Sequence, residues 1–114
     1  MTDLCIQVHL NREPLLDLNS VRAQCERLTN ETGLICRFSQ RESDDGACVN
    51  LMFKTDHAKM LWQLLYEQLY QTSASGGLLR TSSIAVCEGR FGWDDYLLLH
   101  HFDPGEKCDK FPED

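Results

Sequence analysis

The most constraining feature of this chain is a strict alternation of side chains near its start. Over residues 4–10, strongly apolar side chains occupy every second position, with a cysteine, a glutamine and a histidine between them. A period of two predicts a β-strand with one face in a core and the other turned away from it. The predicted core face consists of Leu4, Ile6, Val8 and Leu10.

Two later segments have a helical period instead. One helix is predicted at about residues 18–31, with Asp17 or Asn19 as its N-cap, because apolar side chains there fall on a single stripe. A second, clearer helix begins at Ala58 and is expected to stop at residues 73–77, where small residues and two glycines interrupt the pattern.

Three further strands are predicted at residues 34–39, 48–54 and 83–87. The first two are separated by a polar turn at residues 43–46, whose serine, aspartates and glycine are typical of a hairpin. The order of elements is therefore β-α-β-β-α-β. It resembles the ferredoxin-like sandwich, which implies an antiparallel sheet with two helices on one face and the first and third strands in its middle.

This resemblance covers residues 4–87 and concerns architecture alone, since that fold hosts many unrelated functions. Residues 96–102 are predicted to add a C-terminal fifth strand, although Asp94 is equally able to cap a two-turn helix that Pro104 ends. We expect residues 1–103 to form one α+β domain and residues 104–114 to form an acidic, mobile tail.

Length and composition indicate an ordered globular protein. The chain has 114 residues, of which 42% are hydrophobic and 25% charged. No apolar run approaches the roughly 20 residues that cross a bilayer, and the start of the chain lacks a signal-peptide pattern, so we expect a cytoplasmic protein without membrane contact. Its six cysteines are then expected to stay thiols.

The charge of the chain is negative and uneven. The net charge is −7, and residues 88–114 hold eight acidic side chains against three basic ones. Such a surface repels phosphate backbones and attracts basic proteins, so we expect no nucleic-acid partner and a basic protein partner.

The predicted alternation places Cys5, His9, Cys48 and Cys87 on the sheet face away from the helices. These four side chains are an alternative set of ligands for a soft metal ion. The favoured interpretation is that they are small, shielded thiols and a histidine with no metal, and no cofactor is expected. That face is too apolar to be fully solvated, so residues 96–102, a partner or a second copy of the chain is expected to cover it.

No catalytic residue is assigned from the sequence. His100 and His101 are adjacent, and neighbouring side chains on a strand point to opposite faces, so they do not share one ion. The chain has no Gly-x-Ser-x-Gly motif and no phosphate-binding glycine loop. The sequence therefore leans away from an enzyme.

The segment 88–103 is the predicted partner-binding surface, because it places aromatic side chains among carboxylates. The alternative is that Phe91 and Trp93 plug the end of the core. The predicted contact residues are Glu88, Phe91, Trp93, Asp94, Asp95, Tyr96 and Asp103.

Two functions follow from these patterns. The first is an inhibitor or immunity-type protein, monomeric or homodimeric, that masks a basic surface of a toxin or nuclease. The alternative is a dimeric ferredoxin-like module or enzyme that holds a small molecule between the sheet face and residues 96–102. In that alternative, Cys5, His9, Trp93 and His100 line the pocket.

Overall fold

The computed structural model describes residues 1–71, 76–89 and 91–111. The four predicted strands and two predicted helices occur in the expected order, but a π-helical segment and a third helix precede the fourth strand, and a fifth strand follows it. The elements are β1 (Thr2–His9), α1 (Leu18–Thr32), β2 (Arg37–Glu42), β3 (Cys48–Thr55), α2 (Ala58–Leu65), a π-helical segment (Tyr66–Gln71), α3 (Gly76–Arg80), β4 (Ser83–Gly89) and β5 (Gly92–His100).

The five strands form one sheet in the order β2-β3-β1-β4-β5, and every neighbouring pair is antiparallel. The fold is therefore α+β. Strand β1 lies at the centre, where Ile6 is opposite Leu51 on one side and Ala85 on the other. The buried residues of α1 and α2 belong to one hydrophobic core with this face of the sheet.

Helix α1 follows its sequence signals closely. The side chain of Asp17 caps it by accepting a hydrogen bond from the Ser20 amide at 3.2 Å, and the helix ends at Gly33. Its buried stripe is Val21, Cys25 and Leu28. The period of the apolar residues was therefore sufficient to place this helix.

The predicted stop of the second helix falls partly on residues 73–75, which lie outside the described residues, but the α-helix itself ends earlier, at Leu65. After Leu65 the chain continues as the π-helical segment, and Gly76 begins α3 instead of ending a helix. A Cβ atom on Gly76 would lie 2.4 Å from the carbonyl oxygen of Tyr70. Glycine is needed here because two backbone segments pack closely, which a sequence pattern does not distinguish from a helix stop.

The predicted strand at residues 34–39 starts too early, because β2 begins at Arg37. Ile35 is nevertheless buried, and the Cys36 amide donates a hydrogen bond to the Lys54 carbonyl at 2.8 Å. The chain thus reaches the sheet before regular strand pairing starts.

The predicted orientation of β4 is wrong. Cys87 and Ala85 lie in the core, whereas Ile84 and Val86 are on the sheet face that the helices do not cover. The buried ring of Tyr70 occupies the space beneath β4, and its hydroxyl is 2.7 Å from the Ser83 hydroxyl. Small side chains on β4 leave room for this ring, so the bulkier Ile84 and Val86 face outward.

Residues 92–100 form a strand, which decides between the strand and helix predictions. Strand β5 extends the sheet beside β4 and does not fold back over the open face as one prediction had it. After β5, the Asp109 amide donates a hydrogen bond to the Leu98 carbonyl at 2.7 Å, and the Leu98 amide donates to the Asp109 carboxylate. This part of the acidic tail therefore contacts β5.

Candidate protein-binding groove

The hairpin formed by β4 and β5 is irregular at its turn. Its register shifts between Cys87 and Gly89, so the strands diverge from a regular ladder there. A Cβ atom on Gly89 would lie 1.7 Å from the carbonyl oxygen of Asp95, and only glycine allows this approach. The irregularity places Asp95 beside the end of β4.

The aromatic side chains of this hairpin are on the surface. Phe91 is 79% exposed, Tyr96 56% and Trp93 41%. Phe91 and Trp93 therefore do not plug the core, which was the alternative from the sequence. Large exposed aromatic side chains are typical of surfaces that anchor a partner.

A groove of about 500 Å³ lies beside the hairpin. It is bordered by Thr2 of β1, the start of α2, the facing ends of β4 and β5, and Phe111. Three carboxylates from separate parts of the chain line it: Asp56, Glu88 and Asp95. Met60, Leu97 and Phe111 add apolar surface, and Lys59 adds one cation.

Backbone contacts hold part of this acidic lining in place. The Asp3 amide donates a hydrogen bond of 2.7 Å to Glu88 Oε1, which ties the end of β4 to β1. Asp56 lies 3.9 Å from the N-terminal ammonium group. Among the described residues, the ion pairs include neither Asp94 nor Asp95, and both side chains are exposed.

Sequence reasoning missed Asp56, Lys59, Met60 and Phe111 as groove residues. The sequence predicts Thr55 or Asp56 as the cap of the second helix, but the N-cap is His57 and no side chain caps the helix; the Thr55 hydroxyl instead accepts a hydrogen bond from the His57 amide, at 2.9 Å. Asp56 is thereby left to line the groove. No local pattern signals this, because the groove joins segments that are far apart in the chain.

One predicted contact residue lies elsewhere. Asp103 follows β5 at the end opposite the hairpin turn, and its amide donates a hydrogen bond to His101 Nδ1 at 2.9 Å. The length of β5 separates it from Phe91 and Trp93 by about 25 Å at 3.3 Å per residue. The other six predicted residues all belong to the hairpin.

The four predicted alternative metal ligands do not form one site. Cys48 Sγ is 3.6 Å from His9 Nδ1, but the Cys5 thiol contacts Asn50 Oδ1 at 3.8 Å and Cys87 is on the opposite face, in the core. Burial raises the pKa of Cys5 to about 11 and, with help from Glu88 and Asp3, that of Cys87 to about 11. Across residues 1–71, 76–89 and 91–111, no three potential ligands cluster.

The residues predicted to line the pocket of the alternative function also lie on two different faces of the sheet. His100 packs against Tyr70, and its Nε2 donates a hydrogen bond of 2.9 Å to the Arg80 carbonyl. His9 instead contacts Phe102, at 5.1 Å between ring centroids. His9 and His100 therefore do not line a common cavity under residues 96–102.

Comparisons with protein-family models, with curated proteins and with solved structures find no match for this chain. Within the described ranges, no helix is both long enough and apolar enough to span a membrane. A functional assignment therefore depends on the groove, the hairpin and the open sheet face themselves.

Proposed function

We propose that this protein is a binding module that masks a basic surface of another protein, as an inhibitor or immunity-type protein does with a toxin or nuclease. The observation that carries the proposal is the groove in which Asp56, from the connection between β3 and α2, meets Glu88 and Asp95 of the β4–β5 hairpin. Carboxylates around a groove with apolar walls suit an arginine or lysine side chain, whose charged head and aliphatic stem need both kinds of contact.

The exposed aromatic residues extend this surface beyond the groove. Trp93 is two residues before Asp95 on β5 and therefore shares its face of the strand, so a partner seated on the carboxylates meets Trp93 as well, whereas Tyr96 extends the surface on the other face. Aromatic side chains supply contact area at low entropic cost, while the carboxylates steer the approach of a basic partner. The excess of acidic residues after residue 88 acts in the same direction.

We also propose that the fold is a ferredoxin-like sandwich with a fifth strand added beside β4. The strand order β2-β3-β1-β4 and the shared core of α1, α2 and one sheet face support this assignment. The functional proposal does not depend on it.

The test is capture of partners from a lysate of the native host, at low and at high salt, with mass spectrometry of the bound proteins. We expect a basic protein that high salt releases, because the interaction is largely electrostatic. The double variant Asp56→Asn, Asp95→Asn should weaken binding of the recovered protein by about tenfold. A matched variant with the same charge change, Glu42→Gln, Asp44→Asn, alters exposed carboxylates around the β2–β3 turn and should bind normally.

Two results would refute the proposal. One is equal loss of binding in both double variants, which would mean that net charge and not the groove determines affinity. The other is a recovered partner with an acidic binding surface. Isothermal titration calorimetry with the purified partner distinguishes these outcomes from simple unfolding of a variant.

A further inference from the structure

Three polar side chains on the open sheet face are joined in a row. Cys48 Sγ is 3.6 Å from His9 Nδ1, and His9 Nε2 is 2.8 Å from Gln7 Oε1. Cys48 is directly opposite His9 in the pairing of β1 with β3, and Gln7 is two residues before His9 on the same face. The register of the two central strands thus fixes this arrangement.

The row determines which imidazole nitrogen carries the proton. Gln7 Oε1 has no hydrogen, so His9 Nε2 donates to it. In a neutral imidazole the other nitrogen is then an acceptor, and His9 Nδ1 accepts the hydrogen of the Cys48 thiol. Cys48, His9 and Gln7 are therefore arranged in that order as a nucleophile, a base and a group that orients the base.

The surroundings of His9 favour a neutral base. Burial lowers the pKa of His9, and the nearby positive charges of Arg12 and His101 lower it further. The Arg12 guanidinium lies 3.8 Å from the centroid of the Phe102 ring, which in turn contacts His9. A neutral His9 at pH 7 is able to take a proton from Cys48.

The other five thiols differ from Cys48. Cys5, Cys25 and Cys87 are buried, whereas Cys36 and Cys108 are exposed. The Cys36 thiol contacts the Asp56 carboxylate at 3.9 Å, and a carboxylate beside a thiol disfavours the approach of an anionic disulfide. Among the described residues, the thiol–imidazole contact between Cys48 and His9 has no counterpart at another cysteine.

We infer that Cys48 is a reactive thiol, activated by His9 and oriented through Gln7, that exchanges with small anionic disulfides of the glutathione class. The inference concerns the open sheet face and is independent of the groove. The positive charge of Arg12 beside His9 and Phe102 is the feature that favours an anionic disulfide.

The exchange conserves the number of thiols and of disulfides. The Cys48 proton moves to His9 Nδ1, and the thiolate attacks one sulfur of the disulfide. A new sulfur–sulfur bond forms at Cys48 as the original one breaks, and the leaving thiolate takes the proton from His9. One thiol and one disulfide give one mixed disulfide and one thiol, with no other oxidant.

Cys5, the other thiol on the β1–β3 strand pair's open face, does not resolve the mixed disulfide. Cys5 is opposite Met52, four residues from the position opposite Cys48, which corresponds to about 13 Å along the strand. A disulfide requires Cα atoms within about 7 Å, so Cys5 does not reach Cys48. Reduction of the mixed disulfide therefore requires a thiol other than Cys5.

The experiment uses the full chain with oxidised glutathione, and mass spectrometry of peptides measures the rate at each cysteine. At pH 7 we expect Cys48 to react at least about tenfold faster than Cys36 or Cys108, although it is less exposed than both. The variant His9→Asn should remove this advantage. Gln7→Leu should reduce it, and Gln7→Glu, which keeps an acceptor oxygen, should preserve it.

The pH dependence provides a second readout that a folding defect does not imitate. From pH 8.5 to pH 6.5 an unassisted thiol of pKa about 8.5 loses about 50-fold in rate, whereas Cys48 should lose less than about tenfold because the lowered pKa of His9 keeps the imidazole available as a base. Cystamine, a cationic disulfide, should react more slowly than glutathione disulfide at Cys48 and not at Cys36. Equal rates at Cys48 and Cys36, or no effect of His9→Asn in a variant with unchanged circular dichroism, would overturn the inference.

Discussion

The two faces of the sheet carry similar residue types in opposite environments. On the face that α1 and α2 cover, Cys25 and Cys87 are enclosed by aliphatic side chains, and burial raises the pKa of Cys25 to about 12. On the open face, Cys48 has an imidazole as its neighbour. The comparison shows that a cysteine's chemistry here depends on its immediate neighbours and not on the sheet face alone, because burial also raises the pKa of Cys5, which is on the open face.

The largest expected effect is alkaline unfolding. The pKa values of Cys5, Cys25 and Cys87 are raised to about 11, 12 and 11, and burial also raises that of Tyr70. Since the unfolded chain loses these protons at lower pH than the native protein, their stabilising contribution is complete below about pH 8.5 and falls as the pH rises. At about 1.4 kcal/mol per pH unit for each group, we expect the protein to unfold between about pH 9 and pH 11.

Urea unfolding at pH 8 and pH 10.5 measures this loss. The double variant Cys25→Ala, Cys87→Ala should lose less stability between the two pH values than the native chain does. The matched control Cys36→Ala, Cys108→Ala removes exposed thiols and should behave like the native chain. Identical pH dependence in all three proteins would contradict the contrast between the faces.

The next largest effect compares neighbouring residues on β3. Phe53 is fully buried in the core, whereas Met52 is on the open face opposite Cys5. Phe53→Ala should lower the free energy of unfolding by about 3 to 5 kcal/mol, because it leaves a cavity. Met52→Ala should lower it by about 1 kcal/mol or less. Similar losses in urea titrations would show that the open face is packed as tightly as the core.

A smaller effect is expected for Tyr70→Phe. The Tyr70 hydroxyl is buried and hydrogen-bonds the Ser83 hydroxyl, which itself donates to the Leu79 carbonyl at 2.7 Å. Loss of the phenolic hydroxyl should cost about 1 to 2 kcal/mol by thermal or urea unfolding. If the variant is as stable as the native chain, this hydrogen bond does not help to fix the inward orientation of Ser83.

The smallest expected effect on stability is at the hairpin, outside both sheet faces. Trp93→Ala should change the free energy of unfolding by no more than about 0.5 kcal/mol, since its side chain is 41% exposed. In the proposed complex the same substitution should cost about 2 kcal/mol of binding free energy. Calorimetry of binding and urea unfolding check both values. Comparable losses of binding and of unfolding free energy would show that Trp93 stabilises the fold instead of contacting a partner.

Local patterns predicted most of the secondary structure. The alternation over residues 4–10 and the stripe of α1 are repeated several times within one element, so single ambiguous positions did not alter them. The glycines at the end of the second helix were misleading, because Gly76 is required by a contact with Tyr70 and not by a turn. A close approach of two backbone segments leaves no periodic signal, even when they are only six residues apart.

The sequence indicated the hairpin residues of the candidate site but not the groove residues that come from other parts of the chain. The exposed aromatic and acidic residues of the hairpin are adjacent in the chain, and the sequence indicated them as one surface. Asp56 and Phe111 were missed, since they reach the groove from the connection between β3 and α2 and from the tail. Asp103 was wrongly grouped with the hairpin because its separation from Trp93 follows from the direction of β5.

By itself, the sequence determined the types of element, their order and the concentration of acidic charge towards the C-terminus, because these properties depend on neighbouring residues. Tertiary structure decided which face of β4 is buried, that Cys48 meets His9, and that Asp56, Glu88 and Asp95 share a groove. A period of two defines two faces of a strand but does not say which one is covered. The packing of Tyr70 and the helices against the sheet determines which face is covered. Space in this core is limited, so each side chain's position depends on residues far along the chain.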